Sequence, residues 1–217
     1  MNIYIVRHGK TQFNNEERMQ GFADSPLLPE SLELAIETGK GFKADNIHFD
    51  KVYASDLLRA VRTSEHIVIG MESNQEVIIE PLVKEMNFGA AEGQKVVDVW
   101  DQIAQSMNYA DMAALFAVEH PHSIFDFVHQ YEPFSEAESI DQFYTRIKAG
   151  LDKIVEENYG KGVKNILITA HGLVILGLLN VLGYDTGNSR SFSNLSINHI
   201  RYDGEYTVVD VNKSYIE

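Results

Sequence analysis

The sequence predicts an α/β fold: a three-layer α/β/α sandwich around a mostly parallel central sheet, with a helical lid insertion. Three observations carry this. Short β-branched and aromatic runs alternate with helical patterns, as strands joined by crossover helices do. Two of those runs end in histidine-glycine, Val6-Arg7-His8-Gly9 and Thr169-Ala170-His171-Gly172. A chain of 217 residues is long enough for one sizeable domain with a full core and one insertion, so residues 1–217 read as a single domain with the lid at about 90–138.

Taken in order, Asn2-Ile3-Tyr4-Ile5-Val6 is an apolar run that reads as a buried strand. Residues 10–29 form a polar loop broken by Gly21, Pro26 and Pro29. A helix over 30–43 turns Leu32, Ala35, Ile36 and Gly39 to one face, and Lys51-Val52-Tyr53-Ala54 is the second strand. Residues 56–69 read as a helix stopped by Gly70, and Val77-Ile78-Ile79 as a third strand closed by Pro81. From 90 to 137 the pattern loosens into short helical pieces around Trp100, Met112 and Phe127. Ser139 and Gln142 make a capping box for a long helix over 139–158, with a stripe running from Ile140 to Val155. Residues 165–170 give a fourth strand, and 173–182 a helix apolar all round, hence buried. Residues 195–202 and 206–211 pair as a hairpin across Asp203-Gly204.

Composition narrows the partners. Lys plus Arg is 18 against 32 Asp plus Glu, a formal charge of -14, which repels nucleic acid and anionic membranes, so neither is expected as a partner. There is no cysteine, so neither a disulfide nor a thiolate nucleophile is available. The first residues enter a strand directly, without a basic or long apolar leader, which makes a cytoplasmic protein the expectation. Residues 165–184 carry no charged side chain, but Asn165, Thr169, His171, Gly172, Gly177 and Asn180 interrupt the run, and strand, turn and buried helix fit it better than a membrane span.

The chemistry gathers at strand ends, where open α/β sheets bind ligands. Arg7 offers a fixed fork of donors suited to phosphate, and His8 a ring nitrogen that is neutral near physiological pH and able to attack phosphorus. Gly9 lets the backbone turn close to a ligand. Arg59 falls in the first turn of a helix that follows a strand, where free N–H groups already favour anions. If these strands are neighbours, Arg7, His8, Arg59 and His171 converge as a phosphate cradle around a nucleophile. His120, His122 and His129 have a spacing that fits no metal-ligand set, so no metal is expected.

At this point the chain resembles the histidine phosphatase superfamily, the phosphoglycerate mutase-like proteins. The blocks are Arg7-His8-Gly9-Lys10-Thr11-Gln12-Phe13-Asn14, Arg18-Met19-Gln20-Gly21, Ser55-Asp56-Leu57-Leu58-Arg59-Ala60, Glu85-Met86-Asn87-Phe88-Gly89, Glu92-Gly93, His171-Gly172 and Asn194-Leu195-Ser196. They keep the family's order along nearly the whole chain. The resemblance implies that His8 accepts the phosphoryl group and Glu85 donates the proton. It further implies that Arg7, Arg59 and His171 hold the phosphoryl oxygens, with Asn14, Gln20, Gly21 and Gly172 lining the substrate site. Glu92 reads as a local cap and Arg62 as structural.

The implied activity is that of a metal-independent phosphomonoesterase of the histidine acid phosphatase type, needing no cofactor and acting on a small phosphorylated metabolite; a homodimer is compatible with it. The alternatives are a cofactor-dependent phosphoglycerate mutase and a non-catalytic phospholigand-binding protein. The mutases usually show Glu-Arg-His-Tyr-Gly and His-Gly-Asn; Glu85-Met86-Asn87-Phe88-Gly89 and His171-Gly172-Leu173 depart from both, which favours the phosphatase. Residues 96–145 also contain no Lys or Arg, so only Lys95, just before them, is offered as a clamp for a second anionic group.

Overall fold

A computed structural model of the chain describes residues 1–134, 136–187 and 189–216, with the side chains of Pro121, His122 and Glu132 left aside. In chain order the elements are β1 (Asn2–Arg7), α1 (Gln12–Asn15), α2 (Pro29–Ala44), β2 (Lys51–Ala54), α3 (Leu58–Gly70) and β3 (Val77–Ile79). There follow α4 (Val96–Ser106), α5 (Met112–Val118), α6 (Pro121–Gln130), α7 (Ile140–Asn158), β4 (Asn165–Ala170), α8 (Gly172–Val181), β5 (Ile197–Tyr202) and β6 (Tyr206–Lys213).

The strands alternate with period two, yet both of their faces are apolar. Ile3, Ile5, Tyr53, Ile166 and Ile168 enter one hydrophobic cluster, while Val6, Val52 and Leu167 enter another. A strand covered on both faces belongs at the centre of a sheet with helices on either side. The six strands run in the order β3-β2-β4-β1-β5-β6. β3, β2, β4 and β1 are mutually parallel, and β5 and β6 are antiparallel to their neighbours. Helices α2 and α3 cover one face through Ala35, Phe42, Ile67 and Val68. The other face is covered by α7 and α8, through residues such as Phe143, Leu151, Val174 and Leu178, and by the segment between β3 and α7.

That segment consists of short helices, α4, α5 and α6, in keeping with the short helical pieces expected around Trp100, Met112 and Phe127. Trp100 of α4 meets Phe116 of α5 and Phe125 of α6 edge to face, with ring centroids 5.2 and 6.2 Å apart. Phe125 in turn shares a small interior space with Met86 and Leu173, at the carboxyl end of the sheet. Among the described residues, no helix is long and apolar enough to cross a membrane.

Three local readings change. The loop over 10–29 contains α1, started by a reciprocal capping box between Thr11 and Asn14. Helix α3 begins at Leu58, not at 56, because the Leu57 N–H is taken by the Ser55 hydroxyl at 3.4 Å and Asp56 turns out to pair with Lys84 at 2.7 Å. β5 begins at Ile197, not at 195: Leu195 is left-handed (φ 60°) and gives its N–H to the Arg7 carbonyl at 3.0 Å, outside a regular ladder. A bulky residue in that region is strained, at a cost of about 1–2 kcal/mol.

Candidate active site

The strand order puts the ends of β2, β4 and β1 side by side. Arg7 registers with Ala170, so the residues that follow, His8 and His171, face each other with ring centroids 5.2 Å apart and planes inclined by 57°. His8 Nδ1 lies 2.7 Å from the carbonyl oxygen of Gly9. A carbonyl only accepts, so Nδ1 carries the proton and the Nε2 lone pair is left for chemistry. His171 is set the other way round. Its Nε2 sits 2.6 Å from the Ser55 hydroxyl, which already accepts the Leu57 N–H. Among the described residues that hydroxyl finds no other acceptor, so its hydrogen goes to Nε2, and His171 presents Nδ1–H.

The arginines are held by their tips, which frees their inner edges. Arg59 is 1% exposed. Its Nη1 donates to the Ala23 carbonyl (2.8 Å) and to Asp24 Oδ1 (2.9 Å), and its Nη2 to the Gly21 carbonyl (2.7 Å). Nε–H and one Nη2 hydrogen remain, the side-on fork that matches two oxygens of a phosphoryl group. Arg7 is held likewise by Nη1, which donates to the Ser191 hydroxyl (3.0 Å) and the Phe192 carbonyl. Among the described residues, Arg7 Nε, Arg59 Nε and His171 Nδ1 are buried with no hydrogen-bond partner. An unpaired buried donor costs about 1–3 kcal/mol. Three of them around one histidine are a standing demand for acceptor oxygens.

Glu85 closes the set. Its Oε1 accepts the Met86 N–H at 2.9 Å, and its Oε2 accepts the Leu173 N–H, in the first turn of α8, at 3.1 Å. Burial raises its pKa above the ordinary carboxyl value, with those two amides and then Arg59 and Arg7 acting against the rise. Burial, then Arg59 and Arg7, push His8 well below the ordinary imidazole value. Burial, then Arg59, His8 and Arg7, do the same to His171. Environment thus pushes the two kinds of group in opposite directions, favouring a neutral imidazole beside a protonated carboxyl. Arg7 and Arg59 are each lowered by burial, and each is partly compensated by Glu85.

The outer residues fare differently. Asn14 Oδ1 accepts the Thr11 N–H at 3.2 Å, which leaves its Nδ2 as the group a ligand could meet. Gln20 has both ends of its amide engaged, by the Thr11 hydroxyl (2.7 Å) and Ser25 (3.3 Å), and serves as a strut in the loop. Gly21 is required by close approach: a Cβ there would come 1.9 Å from the Met86 carbonyl. An added Cβ at Gly172 would crowd the Ser191 hydroxyl, which holds Arg7, at 3.1 Å and would reach only ordinary contact with Arg7 Nε at 3.4 Å. Glu92 caps a loop, accepting from the N–H groups of Gly21, Phe22, Ala23 and Phe88. Arg62 pairs on the surface with Glu65, 2.8 Å away.

Sequence reasoning passed over Ser55, Ser191 and Phe192, which orient His171 and Arg7; of these only Ser55 lies in a stretch that resembles the family. It also missed the cations that reach the lid region from outside 96–145. Arg190 lies 4.7 Å over the Phe116 ring and donates to its carbonyl at 2.7 Å. Lys95 spends its ammonium on the Glu16 carbonyl at 2.6 Å. Among the described residues, no three His, Asp or Glu side chains gather into a group that could hold a metal ion. The side chain of His122 lies outside the described residues. A spacious groove of about 590 Å³ lies alongside, lined by Pro26, Leu58, Arg62 and His66, but Arg59 is its one residue in common with the cluster.

A histidine with a free Nε2, ringed by two inward-facing arginine edges and a second imidazole at the carboxyl end of a parallel sheet, is a centre able to take up a phosphoryl group. The chain belongs to the histidine phosphatase superfamily (branch 1), whose profile matches residues 3–213. It is similar to the broad-specificity phosphatase YOR283W of Saccharomyces cerevisiae, 28% identical over 214 residues that cover 97% of this chain and 80% of that protein. Among solved structures it resembles a phosphoglycerate mutase from Bacillus anthracis str. Sterne, with a TM-score of 0.90 and 34% identity over 98% of this chain and 92% of that one. Bacillus stearothermophilus YhfR follows at a TM-score of 0.78 and 26% identity, covering 100% of this chain and 99% of its own.

Proposed function

We propose that the protein is a phosphoric monoester hydrolase that works through a phosphohistidine on His8. The observation that carries this reading is the set of three unpartnered buried donors, Arg7 Nε, Arg59 Nε and His171 Nδ1, around a histidine whose Nε2 is free. His8 Nε2 forms a bond to phosphorus as the ester P–O bond breaks, and the Glu85 carboxyl gives its proton to the departing oxygen. Water then attacks the phosphohistidine, its proton returns to the Glu85 carboxylate, and the P–N bond breaks to release inorganic phosphate. Arg7 and Arg59 neutralise the equatorial oxygens and His171 donates a hydrogen bond to them throughout, the positioning and charge stabilisation that phosphoryl transfer needs. No metal ion is required by these steps. Asn14 and Gly172 face the substrate, and the likeness to a broad-specificity phosphatase supports hydrolysis.

A mutase reading is favoured by the likeness to the Bacillus anthracis phosphoglycerate mutase. A mutase has to grip a second anionic group. Of the cations near the lid, Arg146 is committed to Glu138 and Lys84 to Asp56, while Arg190 gives Nη2 to the Phe116 carbonyl and keeps a buried Nε–H without a partner. The substrates expected are monophosphates whose remainder is neutral, aromatic or cationic, because the acidic lid region offers a further anion little beyond that single N–H. The test is rapid quench with labelled monophosphates of each kind and with 3-phosphoglycerate. An acid-labile, base-stable phosphoenzyme that is absent from His8→Ala is expected. Near wild-type turnover by His8→Ala would overturn the mechanism, and efficient interconversion of 3- and 2-phosphoglycerate would install the mutase.

A further inference from the structure

Glu85 lies in chain with no regular structure of its own. The 3₁₀ turn Pro81–Val83 ends two residues before it, and residues 84–88 are neither helix nor strand. The carbonyls there must find donors elsewhere. For the carbonyls leading into Glu85, a single side chain provides them. Arg146 of α7 donates Nη1 to the carbonyls of Leu82 (2.9 Å) and Lys84 (2.8 Å), and Nη2 to that of Glu85 itself (3.1 Å). Its other edge is gripped by Glu138, Nε to Oε1 at 2.8 Å and Nη2 to Oε2 at 2.7 Å. These bonds use all five N–H groups of the guanidinium.

Glu138 also ties down the far side of the same segment. Its Oε2 accepts the Asn87 N–H at 3.3 Å, and its N–H donates to the Asn87 carbonyl at 2.8 Å. Glu85 and Met86 are thus bracketed, by Arg146 from before and by Glu138 from behind. The pair is largely withdrawn from water, with side chains 18% and 13% exposed. Gly150, about one turn further along α7, brings the helix onto the same chain: a Cβ there would come 2.8 Å from the Leu82 Cβ.

We propose that Arg146, braced by Glu138, is a positioning residue for the Glu85 carboxyl, fixing the main chain that aims it at the leaving-group oxygen. The inference rests on the reading of Glu85 as the proton donor. A general acid works only within hydrogen-bond reach of its target, and a misplacement of about 1 Å costs about 10²-fold. Lysine cannot replace the clamp, since its three donors on a compact head do not span three carbonyls and a carboxylate. An arginine that merely stabilised the fold would, once removed, slow every substrate alike. One that aims the acid slows those substrates whose leaving oxygen needs the proton.

The test compares kcat/KM for an alkyl phosphate and for p-nitrophenyl phosphate, whose leaving group departs unaided. The variants are Arg146→Met, Arg146→Lys, Glu138→Gln, Glu85→Gln and the double variant Glu85→Gln/Arg146→Met, each checked for folding by circular dichroism. Arg146→Met is expected to lose about 10- to 100-fold on the alkyl ester and less than about 3-fold on the aryl ester. Arg146→Lys and Glu138→Gln lose less but keep the same selectivity, and they carry the comparison if Arg146→Met does not fold. In the Glu85→Gln background the Arg146 change adds little, because the group it aims is gone. Equal losses on both esters, or an undiminished loss in that background, overturn the proposal. If Glu85→Gln itself shows no leaving-group dependence, the donor assignment fails and the inference falls with it, whereas selectivity in Glu85→Gln alone refutes only the role of Arg146.

Discussion

Replacing Arg59 by methionine is the sharpest probe of the centre, because the structure fixes which of its donors belong to the protein and which to a ligand. Three N–H groups are spent on Gly21, Ala23 and Asp24, and Nε–H with the second Nη2 hydrogen form the free edge. A hydrogen bond to a charged group is worth about 1.5–3 kcal/mol, so losing two of them at the transition state removes about 3–6 kcal/mol. That is a fall in kcat/KM of about 10² to 10⁴. Stability moves less. The carbonyls of Gly21 and Ala23 lose their donors, but Asp24 is 25% exposed and stays solvated, and a buried cation facing Arg7 disappears. A net loss of about 1–3 kcal/mol lowers Tm by about 2–12 °C in a chain of this size. Oxyanion binding separates the two effects. Inorganic phosphate or vanadate at about 100 times its Kd stabilises the wild type by about 2.7 kcal/mol, a Tm rise of about 5–11 °C. At the same concentration the variant loses most of that rise. A variant that keeps kcat/KM within about 5-fold of wild type, or keeps the full oxyanion-induced rise, would show that the free edge of Arg59 does not face the phosphoryl group.

Two further outcomes are expected. The pH profile of kcat/KM should be a bell: His8 attacks only when neutral, and its lowered pKa carries that form into acid, while Glu85 donates only when protonated, and its raised pKa carries that form upward. Glu85→Gln should abolish the alkaline limb that titrates the carboxyl, and an unchanged profile in that variant would assign the limb to another group. Activity on an aryl phosphate should survive EDTA, since Arg7 and Arg59 supply the positive charge that a metal would otherwise bring, and His171 adds a hydrogen bond; a loss that magnesium or zinc restores would refute this.

The central strands and their partners were legible because burial on both faces leaves near-continuous apolar runs, and such runs do not depend on the rest of the chain. The same holds for Ser139 and Gln142, whose capping box is local and forms as written. Boundaries were less legible. Leu195 looks like a strand residue by propensity, yet its left-handed backbone is dictated by a hydrogen bond to Arg7, far away in sequence. Asp56 looks like the start of a helix until Lys84 claims it.

The sequence by itself determined the residue types of the centre: Arg7 and His8 at one strand end, His171 at another, Arg59 opening a helix, and Glu85 beyond. Motif spacing records these because each is set by the local strand-to-turn chemistry that presents it. Only the tertiary structure decided how they are used. The tautomers of His8 and His171, the free edges of the two arginines, and the protonation bias of Glu85 depend on partners from distant segments: Ser55, Ser191, Phe192, Leu173. Arg146 belongs to the same class, since neither its burial nor its five acceptors can be read from its place on an amphipathic helix. Hydrogen bonding and desolvation are properties of an enclosed volume, and a linear pattern names the side chains that enter such a volume without fixing which atoms of each are left free.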